Sequence, residues 1–136
     1  MLRVLLCCMG GFSSGAMVQK VTKEIADSGY DLYLEFHNFS SCYKVMDQFD
    51  IIMTCPHTRY LIPDFVKKHK PTIPIYTLPP KLYATMSPKS IFEDCTDVIE
   101  GYKKDGRNPW CFEGEENNLK VKRGVSQREW MEQKNK

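Results

Sequence analysis

The sequence predicts an α/β fold with a doubly wound, mainly parallel four-stranded sheet, helices on both faces and a C-terminal extension. Two observations indicate this architecture. The chain has 136 residues, of which 42% are apolar, and that is enough for one hydrophobic core. Strand-like and helix-like segments alternate four times over the first 104 residues, an order that favours parallel strands joined by helical crossovers.

The first half of this pattern begins at residues 2–8, which are apolar except for Arg3, and such a run is typical of a strand buried on both faces. Apolar residues at helical spacing over 16–27 predict an amphipathic helix that ends at Ser28-Gly29. Residues 30–36 alternate apolar and polar side chains and predict the second strand. Residues 40–49 predict a short helix.

The second half repeats the order. Residues 50–54 predict a third, buried strand, and 60–69 a helix that tolerates Pro63 in its first turn. Residues 73–78 predict the fourth strand, which Pro79-Pro80 ends. Residues 88–104 carry apolar side chains along one side and predict the last helix of the domain.

The composition changes after the last predicted helix. We therefore divide the chain into a domain at 1–104 and an extension at 105–136, where glycine, asparagine and charged residues dominate. The extension has isolated apolar residues, including Trp110 and Trp130. We expect it to be partly ordered and to pack one or both tryptophans on the domain.

Charge and cysteine content exclude several classes of function. A net charge of +2 gives no overall field that would attract nucleic acid or an anionic membrane. No apolar run approaches the ~18 residues of a membrane span, so we expect no direct membrane insertion and a cytoplasmic location. The six cysteines would then be reduced thiols, and no closely spaced ligand pairs predict a metal. We expect no cofactor.

The loop after the first strand is the strongest candidate site, because ligands of open parallel sheets bind beyond the carboxyl ends of the strands. A thiol, Cys8, ends the strand, and a glycine-rich loop leads into a helix. Inward-facing amides and a helix N-terminus would form a phosphate cradle and lower the pKa of the thiol. The predicted catalytic residue is Cys8. The predicted phosphate-binding residues are Met9, Gly10, Gly11, Phe12, Ser13, Ser14 and Gly15.

The residues alone leave other interpretations open. Cys8 could be a small buried residue that ends a strand. A cysteine-dependent low-molecular-weight phosphatase or an arsenate-reductase-like enzyme would use the same thiol, but the phosphatase motif C-x5-R needs an arginine where Ser14 stands. A non-catalytic regulatory module that binds an anion is a third possibility. Cys55, like the other remaining cysteines, is interpreted as a packing thiol.

At this loop the chain resembles the IIB components of the lactose/cellobiose class of the bacterial phosphoenolpyruvate-dependent sugar phosphotransferase system. Their loop has the form C-x-x-G-M-S-[ST]-[SG], and only Cys8, not Cys7, gives this register, with Phe12 in place of methionine. Residues 50–63 and 75–86 are similar to the family's third and fourth strands and the loops that follow them. Cys55 and His57 stand where glycine and glutamine are common in the family's second loop.

The resemblance implies a phosphoryl relay. Cys8 would accept a phosphoryl group from phosphohistidine of the IIA component and pass it to a sugar of the cellobiose, chitobiose or lactose type, bound by the membrane IIC component. The protein would then be cytoplasmic and transiently at the inner face of the cell membrane. Around the loop, the candidates for docking these partners are Pro56, His57, Tyr60 and Tyr83.

Overall fold

The computed structural model describes residues 2–8, 15–117 and 120–134, and of residues 8, 15–18 and 57 it describes the backbone alone. Four strands form one sheet in the order β2-β1-β3-β4, and all three pairings are parallel. The strands are β1 (Leu2–Cys8), β2 (Leu32–Asn38), β3 (Ile51–Thr54) and β4 (Ile75–Thr77). The predicted doubly wound parallel sheet is confirmed.

Five helices pack around the sheet in the part of the chain that the structure describes. They are α1 (Gly15–Ser28), α2 (Ile62–His69), α3 (Pro80–Thr85), α4 (Pro88–Asp105) and α5 (Gln127–Lys134). Neighbouring residues of β1 belong to two cores on opposite faces, because strand side chains alternate. Leu6 joins the core beneath α1 and α4, whereas Leu5 joins the core beneath α2. Helices on both faces are therefore confirmed.

One local prediction is wrong, and two are incomplete. Residues 40–49 do not form one α-helix; they form two 3-10 turns, Cys42–Lys44 and Met46–Gln48, whose hydrogen bonds span three residues. The helix predicted at 60–69 begins as a 3-10 helix at Pro56–Leu61 before it continues as α2. Pro79-Pro80 ends β4 but also starts α3, because a proline is compatible with the first turn of a helix.

A buried guanidinium fastens the C-terminal extension to the domain. Arg123 is 1% exposed, and its Nη1 donates to Oδ2 of Asp94 in α4 at 2.7 Å. Its Nη2 donates to the hydroxyl of Tyr76 in β4 at 2.7 Å. Nε and Nη2 also donate to the carboxylate of Glu115, both at 2.8 Å. A charged group is this deeply buried only when its partners satisfy it, so the network fixes the extension in place.

Trp110 adds an apolar contact at the start of the extension. Its indole packs against the α-carbon of Gly101 in α4, where even a methyl group would overlap the ring. Its backbone N–H donates to the carbonyl of Ile75 at 2.8 Å, and its ring meets Phe112 edge to face at 5.0 Å. The side chain is 9% exposed, so the extension covers apolar surface of the domain in addition to its ionic contacts.

Candidate functional site

At the carboxyl edge of the sheet, the end of β1 lies between the ends of β2 and β3. The chain leaves β1 towards β2 through α1 and returns to the other side of β1 as β3, so the direction of winding reverses between β1 and β3. A crevice at such a reversal is where open α/β sheets bind ligands. Because β1 and β2 are parallel, α1 runs back along the sheet and its N-terminal end, Gly15, lies at this same edge.

Cys8 is the last residue of β1 and pairs with Asn38 of β2. The backbone of Cys8 and Gly15 is described, whereas Met9, Gly10, Gly11, Phe12, Ser13 and Ser14 lie outside the described residues, as does the side chain of Cys8. The proposed cradle is therefore defined by its two ends: the carboxyl terminus of the central strand and the first residue of a fourteen-residue helix.

The neighbouring Cys7 is excluded as the reactive thiol by its position. It is fully buried in the core beneath α2, and it contacts Cys42 there. Burial raises the pKa of Cys7 far above its ordinary value, and the contact with Cys42 adds to that rise. A thiol that cannot ionise and has no access to solvent is not a nucleophile. This placement agrees with the register of the loop motif, which selects Cys8.

The second loop of the edge is tied to β1 directly. Cys55 follows β3, and its backbone N–H donates to the carbonyl of Cys7 at 3.4 Å. Thr58 is fully buried, and both its hydroxyl and its backbone N–H donate to the carbonyl of Cys55, at 2.8 and 3.1 Å. These bonds start the 3-10 helix Pro56–Leu61. The second loop is thus held against the end of β1 by main-chain geometry.

Cys55 differs from the expectation that all thiols are reduced. It is disulfide-bonded, whereas Cys7, Cys42, Cys95 and Cys111 carry free thiols. The interpretation of Cys55 as a packing thiol is therefore wrong. Sequence reasoning missed this because it judged cysteines by compartment and by spacing along the chain, and neither shows which strands become neighbours.

The predicted docking residues occupy different depths at this edge. Tyr60 is 65% exposed and offers the most surface. Pro56 is buried, and Tyr83 in α3 is half-buried against the core beneath α4. The side chain of His57 lies outside the described residues.

Arg59 is a residue of the second loop that the sequence analysis did not single out. It is exposed, and its Nη1 donates to Oδ1 of Asn117 in the extension at 2.6 Å. A cavity of about 230 Å³ lies between this loop and the extension, with Arg59, Thr77 and Trp110 among its lining residues. Nothing in the sequence signals this contact, because it joins residues 58 positions apart.

Two further observations concern metal ligands and membrane-spanning helices. Among the described residues, no group of three or more histidine, cysteine, aspartate or glutamate side chains is placed to hold a metal ion. In the same part of the chain, no helix is long and apolar enough to cross a membrane.

Solved structures with the same fold support the architecture. The solution structure of the cellobiose-specific phosphotransferase IIB component from Borrelia burgdorferi is similar, with a TM-score of 0.57, 23% sequence identity, and 74% of this chain and 93% of that chain covered. The lactose-specific IIB component domain of the phosphoenolpyruvate:carbohydrate phosphotransferase system from Streptococcus pneumoniae gives a TM-score of 0.51 and 21% identity, with 74% and 97% covered. At these identities the likeness shows the fold. A search of curated proteins finds no match.

The family model for the lactose/cellobiose-specific IIB subunit of the PTS system matches residues 3–94, more than half of the chain. The matched region begins in β1 and ends in α4, so it includes the end of β1, the loop after it and the second loop. The chain therefore belongs to the lactose/cellobiose-specific IIB subunit family of the sugar phosphotransferase system.

Proposed function

We propose that Cys8 is the phosphoryl carrier of this IIB subunit. The observation that supports the proposal most directly is that two adjacent cysteines occupy different positions in the fold. Cys7 is buried and held as a neutral thiol, whereas Cys8 ends the central strand at the edge where α1 begins. A helix N-terminus favours negative charge, so it would stabilise both a thiolate and a bound phosphoryl group.

The proposed reaction has two transfers. The Cys8 thiolate attacks the phosphorus of a phosphohistidine on the IIA component; an S–P bond forms, the N–P bond breaks, and the histidine nitrogen takes up a proton. A hydroxyl of a sugar bound by the membrane IIC component then attacks the same phosphorus. An O–P bond forms, the S–P bond breaks, and the hydroxyl loses its proton as the thiolate is regenerated. Such transfers depend on positioning and charge stabilisation.

In this proposal the loop amides from Met9 to Gly15 and the hydroxyls of Ser13 and Ser14 hold the phosphoryl group on sulfur. The sugar is of the cellobiose, chitobiose or lactose type. The exposed side chain of Tyr60 belongs to the surface that receives the partners. The protein works in the cytoplasm and meets IIC at the inner face of the membrane.

The test is transfer from a reconstituted phosphoryl chain. The full-length protein is incubated with phosphoenolpyruvate, the two general phosphotransfer proteins and the cognate IIA component, and its intact mass is measured. We expect the addition of one phosphoryl group, and none in Cys8→Ser. Cys111→Ser is the matched control, because Cys111 is a free thiol that is half-buried in the extension. No addition to the reduced wild type, or the same addition to Cys8→Ser, would refute the proposal.

Two other functions give different results. A phosphatase would hydrolyse p-nitrophenyl phosphate with a dependence on Cys8 in the absence of any partner, but it needs a phosphate-clamping arginine where Ser14 stands. A regulatory module that only binds an anion has no need of an activated thiol. Its Cys8 would react with an alkylating agent with the pH dependence of an ordinary cysteine.

A further inference from the structure

The register of β1 and β3 brings two cysteines to the same edge of the sheet. Cys7 is the Cα partner of Thr54 in the parallel pairing of these strands. One residue further along each chain stand Cys8 and Cys55, and the pairing extends to Cys55 through its N–H bond to the Cys7 carbonyl at 3.4 Å. Neighbouring parallel strands lie about 4.8 Å apart, within the usual Cα separation of a disulfide.

The bonding state of the cysteines selects this pair. Cys55 is disulfide-bonded and fully buried, and its Sγ lies 3.7 Å from the carbonyl oxygen of Cys7. The four cysteines Cys7, Cys42, Cys95 and Cys111 carry free thiols. Cys7 and Cys42 contact each other in the core on the other face of the sheet.

We propose that Cys8 and Cys55 form a reversible disulfide that closes the phosphoryl site under oxidising conditions. The inference rests on the proposed function in one respect: the thiol that it blocks is the phosphoryl acceptor. In the disulfide the sulfur of Cys8 is bonded to a second sulfur and is no longer a thiolate, so it cannot attack phosphorus. The oxidised protein is therefore an inactive carrier, and reduction returns it to the relay.

The chemistry balances with a peroxide as the oxidant. The Cys8 thiolate attacks one oxygen of hydrogen peroxide; an S–O bond forms, the O–O bond breaks, and the hydroxide that leaves takes a proton from solvent to become water. The Cys55 thiol then gives up its proton and attacks the sulfenic sulfur; the S–S bond forms, the S–O bond breaks, and a second water leaves. Two thiols lose two electrons in total, and the peroxide gains them. A dithiol such as dithiothreitol reverses the change and is itself oxidised.

The roles of the two cysteines follow from access. A residue that receives a phosphoryl group from another protein must be reachable from solution, so Cys8 meets the oxidant first. Cys55 is fully buried and next to the end of β1, which suits a resolving thiol that reacts only with its neighbour. Rapid capture of the sulfenic acid as a disulfide also prevents further, irreversible oxidation of Cys8.

Disulfide mapping tests the pairing independently of phosphoryl transfer. The full-length protein is treated with hydrogen peroxide, blocked with N-ethylmaleimide and digested with trypsin without reduction. Cleavage after lysine and arginine gives fragments 4–20, which contains Cys8, and 45–59, which contains Cys55. We expect these fragments to be linked in wild type and in Cys7→Ala, and to be unlinked in Cys8→Ser and Cys55→Ser. Absence of the linked fragments from the oxidised wild type would overturn the inference.

Phosphoryl acceptance tests the consequence. Peroxide treatment should abolish the mass gain of the wild type, and dithiothreitol should restore it. In Cys55→Ser the same treatment should cause a loss that dithiothreitol does not restore, because the sulfenic acid proceeds to sulfinic acid. Full acceptance by a chain with the fragments linked would overturn the inference. A reduced wild type that never accepts a phosphoryl group would instead refute the proposed function, whatever the mapping shows.

Discussion

Replacing Arg123 by methionine removes the cation of the buried network and keeps a side chain of similar length. Asp94 is fully buried and would lose the guanidinium that lies 2.7 Å from its Oδ2. The hydroxyl of Tyr76 and the carboxylate of Glu115 would lose the donors at 2.7 and 2.8 Å. Breaking a buried ion pair from one side costs about 3–5 kcal/mol, because an uncompensated charge remains. We expect Arg123→Met to lower the free energy of unfolding by that amount.

The loss should depend on pH in a defined direction. Burial raises the pKa of Asp94, and Arg123 opposes that rise. Without Arg123 the folded-state pKa of Asp94 rises further above its unfolded value. A group of this kind contributes stability that is present at low pH and is lost as pH rises through the folded-state pKa. The destabilisation of Arg123→Met should therefore be larger at neutral than at mildly acidic pH.

Urea denaturation, followed by tryptophan fluorescence, measures the free energy of unfolding and so tests this prediction. Arg128→Met is the matched control, since Arg128 pairs with Asp97 at 2.7 Å but its side chain is 47% exposed, and exposed pairs contribute about 0–1 kcal/mol. Adding Asp94→Asn to Arg123→Met should recover about 0.5–3 kcal/mol relative to additive losses, because the fully buried carboxylate of α4 is then removed. Equal small losses for Arg123→Met and Arg128→Met would refute the reasoning.

Three further predictions concern residues in α4 or at its ends. Gly101→Ala should lower the free energy of unfolding by about 1–3 kcal/mol in urea titrations, because its methyl group overlaps the indole of Trp110; the loss should vanish in a Trp110→Leu background. Ser87→Ala should cost about 0.5–1 kcal/mol in the same assay, since the Ser87 hydroxyl caps α4, and Ser87→Asp should retain the stability. The backbone N–H of Arg107 lowers the pKa of Asp105 below its ordinary value of 3.8. The stabilisation by Asp105 is therefore fully present above pH 3.8 and is lost as the pH falls through the lower pKa of the folded state. Thermal unfolding of wild type and Asp105→Asn should accordingly differ at neutral pH and converge in acid; a constant difference would contradict this.

The sequence predicts the domain well where one residue pattern matches one structure. The run of β1 has the predicted bounds, because a strand buried on both faces favours apolar side chains along its length; Arg3, near its exposed start, is the exception. The pattern fails at residues 42–48, where apolar residues recur every three or four positions but the backbone forms 3-10 turns. It is incomplete at Pro79-Pro80, which ends β4 as predicted but also begins α3, because the same proline pair can do both.

Predictions about the site also succeed where they depend on local sequence and fail where they depend on strand order. Alternation along β1 predicts that Cys7 and Cys8 point to opposite sides. Cys7 lies in the core beneath α2, and the side chain of Cys8 lies outside the described residues. The bonded state of Cys55 depends on β3 lying beside β1, which is a property of strand order and not of the local sequence. Arg123 was likewise unpredictable as a buried residue, because its partner Asp94 is 29 positions away.

The distance along the chain between Arg123 and its partners also sets an order of assembly during synthesis. At about 5–20 residues per second, the 29 residues from Asp94 to Arg123 take about 1.5–6 s to be made. Throughout that interval the carboxylate in α4 has no cation to accompany it into the interior, so its burial costs more in the nascent chain than in a chain that includes Arg123. Arg123 therefore makes the packing of α4 depend on residues that are synthesised later, and a chain interrupted before Arg123 would spend more time unfolded and open to proteases.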